Sequence, residues 1–168
     1  MGMTDNTFPG TPIQPDEWKG NRYFFKEAEF PLRYSWDSGI AISRFLQGLK
    51  EGRILGTKCF RCKRTLVPPR AFCERCFRQA DEWVQVKDTG KVNTYSVSYV
   101  NSDASRRSEP LIVAVIEIDG ASPGMGFLHV IRKIEPSEVH VGTKVHAVWK
   151  GASERVGSIL DISHFEVY

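Results

Sequence analysis

The stretch Cys59-Phe60-Arg61-Cys62-Lys63-Arg64-Thr65-Leu66-Val67-Pro68-Pro69-Arg70-Ala71-Phe72-Cys73-Glu74-Arg75-Cys76 contains two C-x2-C pairs separated by ten residues. It holds all four cysteines of the 168-residue chain. Each pair can bend into a knuckle that presents two thiolates to one metal ion. Two knuckles complete a tetrahedral sulfur shell, which zinc accepts without a ligand-field penalty. Thr65, Leu66 and Val67, followed by Pro68-Pro69, suit a hairpin arm between the knuckles. Cys59, Cys62, Cys73 and Cys76 are therefore expected to hold one structural zinc, with no position left for water. Such an ion can contribute about 10–16 kcal/mol to a segment too small to fold alone. Iron in the same four-sulfur shell stays open. Disulfides are disfavoured, because residues 1–15 show neither the basic start nor the apolar stretch of a secretion signal. A redox dithiol would need only one pair, at the start of a helix in a βαβ setting.

The same region is electrostatically distinct. The whole chain carries +3, with 26% charged and 41% hydrophobic residues, ordinary values for a globular protein. Residues 1–53 balance seven basic against seven acidic groups. Residues 54–80 carry seven basic groups and one acid, Glu74, giving +6. Residues 81–168 carry nine basic and twelve acidic groups, giving −3. Four thiolates around a divalent zinc carry −2 together, so the middle segment would remain at +4.

Upstream of the cysteines the pattern is helical. Ile42, Phe45, Leu46 and Leu49 recur at helical spacing, Asp37 or Ser38 can cap the start, and Gly52 can supply the left-handed stop. Gly48 inside this helix costs about 1 kcal/mol relative to Ala. Downstream the pattern is β. Trp83 to Lys87 is a short strand and Asp88-Thr89-Gly90 a turn. Val92 to Val100 alternates, with Asn93, Tyr95, Val97 and Tyr99 on one face. Asn101 to Pro110, including Arg106 and Arg107, reads as a loop. Leu111 to Ile116 is continuously apolar, as in a central strand covered on both faces. Phe127 to Ile131, Lys144 to Trp149 and Ile159 to Val167 supply the remaining strands. So many strands without a long helix between them predict a small closed barrel. The N-terminal part, with Pro9, Pro12, Pro15 and Pro31 and the aromatics Tyr23, Phe24, Phe25 and Phe30, is expected to be an extended arm. The domain expectation is therefore an arm over residues 1–35, a helix over 36–53, a metal ribbon over 54–80 and a barrel over 81–168. No apolar run reaches the ~18 residues of a membrane helix, and a cytoplasmic protein is expected.

No catalytic motif is visible. The metal uses every cysteine, G-x-S-x-G and a glycine-rich phosphate loop are missing, and Gly124-Met125-Gly126 reads as a bend. His129, His140, His146 and His164 are scattered and expected to be ordinary core or surface groups. The basic residues near the knuckles are candidate phosphate contacts.

The order helix, four-cysteine ribbon, small barrel resembles a family of zinc-ribbon plus OB-fold proteins associated with acyl-CoA enzymes. The matching residues are Gly48-Leu49-Lys50-Glu51-Gly52-Arg53-Ile54-Leu55-Gly56-Thr57-Lys58-Cys59, then Pro68-Pro69-Arg70-Ala71-Phe72-Cys73, then Trp83 and Gly90-Lys91-Val92-Asn93-Thr94-Tyr95-Ser96. The likeness spans roughly residues 36–167. It implies a mainly β fold: an N-terminal helical segment, a rubredoxin-like zinc ribbon, then an OB-fold β-barrel. Members act as small non-catalytic subunits or appended domains beside thiolase-like enzymes, ketoacyl-forming enzymes and some hydratases; benzoylsuccinyl-CoA thiolase has such a subunit. The resemblance implies zinc on Cys59, Cys62, Cys73 and Cys76 and a hetero-oligomer with a thiolase-fold catalytic subunit. The partner would supply the catalytic residues, and the complex would bind coenzyme A or acyl-CoA. Lys63, Arg64, Arg75 and Arg78 on the ribbon, then Arg106 and Arg107, are the candidates for CoA phosphates. The alternative is a nucleic-acid-binding module, with Tyr95 and Tyr99 stacking bases. The acidic barrel speaks against it, and no nucleic-acid or membrane partner is expected.

Overall fold

The computed structural model describes Asp16, residues 32–103 and residues 105–168. The chain divides into two units, Met1–Trp36 and Asp37–Tyr168. Apart from Asp16 and residues 32–35, the expected arm over residues 1–35 lies outside the described residues.

The second unit opens with helix α1, Gly39–Lys50. The Asp37 carboxylate accepts the Gly39 N–H at 2.7 Å, while Ser38 at the N-cap makes no side-chain bond. Gly52 takes the left-handed conformation (φ +76°) that ends the helix. The buried face is Ala41, Phe45, Gly48 and Leu49, so it is turned from the expected Ile42, Phe45, Leu46, Leu49 stripe. Ile42 is 37% exposed. Gly48 explains the turn. A Cβ there would stand 2.7 Å from Leu55 Cγ, so the bare glycine lets the helix lie directly on the first strand.

That strand belongs to a three-stranded antiparallel sheet: β1 (Ile54–Cys59), β2 (Arg64–Leu66) and β3 (Glu82–Val86), in the order β2-β1-β3. On the helix side, the Arg44 guanidinium lies 4.4 Å from the Trp83 ring centre. Such a cation–π contact contributes about 0.5–1 kcal/mol at an exposed site.

A five-stranded closed barrel follows: β4 (Thr89–Val100), β5 (Arg106–Ile118), β6 (Gly126–Ile131), β7 (Lys144–Trp149) and β8 (Ile162–Val167). The strand order is β4-β5-β6-β8-β7. All neighbours are antiparallel except β6 and β8, which pair in parallel at Ile131 and Phe165. Helix, ribbon and barrel share one core. Phe45 from α1 meets Phe127 edge-on at 6.2 Å, and Phe127 meets Phe165 at the same distance. Among the described residues no helix is long and apolar enough to cross a membrane.

Five local expectations change. Thr89 and Gly90 are not a turn but open β4, pairing with His146 and Val145 of β7. A bulge at Asn93 lies between the pairs Val92–Ile116 and Thr94–Val115. It switches the inward parity, so that Val92 and later Val97 both reach the core. Arg106 and Arg107 lie in β5 rather than a loop, because β4 and β5 continue pairing out to Val100 and Arg106. Ile159–Asp161 forms a short 3-10 turn before β8, held by the buried Asp161. Along Leu111 to Ile116, Ile112, Ala114 and Ile116 are buried and the alternate residues half-buried, so the second face is only partly covered.

Candidate metal centre

The first knuckle is the turn between antiparallel β1 and β2, where Cys59 pairs with Arg64. The second is a separate loop: the Cys73 N–H donates to the Arg78 carbonyl at 2.8 Å, and the Phe77 N–H to the Cys73 carbonyl at 2.9 Å. The residue after each knuckle's second cysteine is left-handed, Lys63 at φ +52° and Phe77 at φ +54°. The two turns therefore share one local design, and the strain of a left-handed side chain is accepted in both.

The structure brings all four thiols together. Their Sγ atoms lie within 4.8 Å of one another, and Cys59 and Cys76 are 3.5 Å apart. A tetrahedral zinc with Zn–S bonds of about 2.3 Å places its sulfurs about 3.8 Å apart, so the cage has the right size. Cys59 and Cys73, the first cysteine of each knuckle, are buried; Cys62 and Cys76 are half-buried. The electrostatics also call for a cation. The backbone N–H groups of Arg75 and Cys76 hold the Cys73 thiol down to about 6. The neighbouring Cys76 sulfur and burial push Cys62 up to about 12. One thiolate is thus welcome and a second is resisted, until a divalent ion offsets the crowded charge.

The basic residues separate into different roles. Arg64 is buried and paired with Glu74 of the second knuckle, and Glu74 also pairs with Arg70 at 3.2 Å. Arg64 is therefore not a surface cation, contrary to the expectation that it contacts phosphates; its guanidinium is occupied by Glu74 and by the Met125 sulfur at 3.9 Å. Lys63, Arg75 and Arg78 are exposed on the knuckles, Arg78 facing Asp81 at 3.9 Å. Arg106 and Arg107 lie on β5, where Arg107 donates to Asn101 Oδ1 at 2.7 Å and to the Glu109 carbonyl at 3.2 Å. Arg107 borders a barrel groove of about 590 Å³ with Ile112, Ile131, Arg132, Lys133 and His164, and no ribbon cation lines it. The basic pair Arg132-Lys133 was missed by sequence reasoning. Its one signal is its position directly after an apolar strand.

A four-sulfur cage on a rubredoxin-like ribbon, fused to a small closed barrel, defines a ribbon-plus-barrel protein. Residues 46–82 match the rubredoxin-like zinc ribbon domain of ChsH2, and residues 83–150 match the C-terminal OB-fold domain of ChsH2. The chain belongs to the family built from these two domains. A DUF35 domain-containing scaffold protein of Methanocaldococcus jannaschii is 29% identical over 102 residues, covering 60% of this chain and 70% of the relative. One from Methanothermobacter thermautotrophicus is 26% identical over 102 residues, covering 60% and 74%. The crystal structure of a DUF35-family protein of unknown function from Sulfolobus solfataricus superimposes with a TM-score of 0.59 at 27% identity, over 77% of this chain and 87% of that one. The Ltp2–ChsH2(DUF35) aldolase gives a TM-score of 0.55 at 21% identity, over 74% and 93%, a likeness of fold.

Proposed function

We propose that this chain is a non-catalytic accessory subunit that docks on a thiolase-type catalytic subunit and helps bind or enclose acyl-CoA. One observation carries the reading. All four cysteines converge on a single closed cage, so they serve to hold a rigid ribbon and not to attack a substrate. Zinc on Cys59, Cys62, Cys73 and Cys76 makes that ribbon a fixed platform, and its exposed cations stand ready for a partner or for phosphates. Two relatives named as scaffold proteins, and a fold neighbour that is part of an aldolase, support the assignment. Lys63 and Arg75 are the preferred contacts for CoA phosphates, with Arg106 and Arg107 second; Arg78, which faces Asp81 at 3.9 Å, ranks behind them. Cysteines that bind a metal and form no disulfide suit the reducing cytoplasm.

The test is native co-purification of the tagged full chain, with identification of the chain that accompanies it, then thermal unfolding of the purified complex. Acetyl-CoA should raise the melting temperature of the complex, and a single-stranded oligonucleotide should not. Replacing Lys63 and Arg75 by Ala should weaken the CoA effect while the complex itself persists. Tight oligonucleotide binding by the chain alone at physiological salt, without any CoA effect on a complex, would replace this reading by a nucleic-acid-binding one.

A further inference from the structure

Three large apolar side chains stand exposed on the ribbon: Phe60 at 55%, Phe72 at 62% and Phe77 at 85%. They come from different parts of the cage, and the backbone gathers them around Arg78. Phe77 is its chain neighbour. Phe72 reaches it through the Cys73 N–H, which donates to the Arg78 carbonyl at 2.8 Å, and through the bridge between Phe72 and Gln79. Phe60 reaches it through Asp81, which accepts the Phe60 N–H at 2.7 Å and faces the Arg78 guanidinium at 3.9 Å. The support is rigid: the two knuckles share one sulfur cage, and the Arg64–Glu74 pair joins them again. Exposed phenylalanines on a rigid base mark an interface, since aromatic and arginine side chains are the usual anchors and a preorganised surface loses little entropy on docking.

We infer that this knuckle face, Phe60, Phe72 and Phe77 around Arg78, is the surface that seats on the catalytic partner, and that it takes an apolar pocket with an acidic rim. The inference rests on the accessory-subunit reading. The rim follows from charge. Arg61 follows Phe60 and Arg78 follows Phe77, both exposed, and residues 54–80 carry +6 before metal binding. A second copy of the chain is a poor occupant, because a two-fold contact through this face would set two positive ribbons against each other. Nucleic acid fits less well, because the net positive charge lies in these 27 residues beside a barrel segment at −3.

The experiment uses the zinc-loaded full chain and the purified catalytic subunit identified by co-purification, with affinity measured by calorimetry. Phe77→Ser and Phe60→Ser should each weaken binding tenfold or more, with zinc content and melting temperature unchanged. Tyr99→Ser on the barrel should bind as wild type. Raising salt should weaken the wild-type complex several-fold. If wild type binds and the phenylalanine variants bind equally well, the face is wrong while the accessory reading stands. If wild type binds no enzyme subunit, both fall. A dimer of the chain alone that Phe77→Ser dissociates, or oligonucleotide binding that it abolishes, would also overturn the assignment.

Discussion

Arg64 and Glu74 are joined across the two knuckles. Arg64 opens β2 directly after the first knuckle, and Glu74 sits between the cysteines of the second. The pair ties the loops together without using a sulfur. Arg64 is buried, while the Glu74 side chain is 39% exposed.

Removing the Glu74 charge should therefore leave a buried guanidinium short of its partner. Glu74→Gln should destabilise the ribbon by about 1–2 kcal/mol, below the usual cost of breaking a fully buried pair because solvent screens the carboxylate. The Arg64 guanidinium also holds the Glu74 pKa below its ordinary value. Its contribution is present above pH ~4.5 and is lost as pH falls through the lowered folded value. Urea midpoints of wild type and Glu74→Gln should converge in acid; parallel curves down to pH 3 would contradict this.

The metal should be one zinc per chain. Elemental analysis of protein purified without added metal should find about one equivalent, and a chelator strong enough to strip it should unfold the ribbon. Cys73→Ser should lose the ion and partner binding together. Iron with visible absorbance in place of zinc would refute the assignment.

Asp161 is fully buried and accepts backbone N–H groups from Val156 (3.0 Å), Gly157 (2.7 Å) and Ser158 (3.0 Å). Burial pushes its pKa up, but these three donors outweigh it, so the pKa lies below the ordinary value. Asp161→Asn should cost about 2–4 kcal/mol, since charge-assisted bonds are replaced by weaker ones and one amide face becomes a donor. The wild-type contribution is present above pH ~3.8 and is lost as pH falls through the lowered value. Denaturant melts at pH 7 and pH 3 would show a large gap between the two proteins narrowing in acid.

His129 is held neutral. Burial lowers its pKa; its Nδ1 accepts the Val130 N–H at 2.9 Å, and Nε2 faces the Ile159 carbonyl at 3.3 Å. The unfolded chain takes up a proton near pH 6.5 that the native state refuses, so stability should be full above pH ~6.5 and fall below it. In His129→Gln the melting temperature should change less between pH 7.5 and 5.5 than in wild type. An equal change in both would count against this role.

Gly48→Ala gives a test of sign. In an exposed helix the change should stabilise by about 1 kcal/mol. Here the new Cβ meets Leu55, so we expect a loss of about 1–3 kcal/mol instead. A higher melting temperature for the variant would show that Leu55 yields without cost.

The sequence by itself determined the features that depend on residues close together along the chain. The two C-x2-C turns, the helix stop at Gly52 and the six-residue strand Lys144–Trp149 all follow from local spacing, backbone preference and alternation. Only the tertiary structure decided which groups at a distance would meet. The face that α1 buries depends on how closely Gly48 approaches Leu55. The role of Arg64 depends on Glu74, ten residues on, and on Met125, whose sulfur lies 3.9 Å from its guanidinium. Arg106 and Arg107 became strand residues because β4 supplied partners that no local pattern announces. Asp161 takes its three amide donors from residues three to five positions upstream, a local motif, and the tertiary structure added its complete burial. Spacing and alternation act between neighbours. Burial and charge pairing are properties of three-dimensional proximity, and the chain acquires them only on folding.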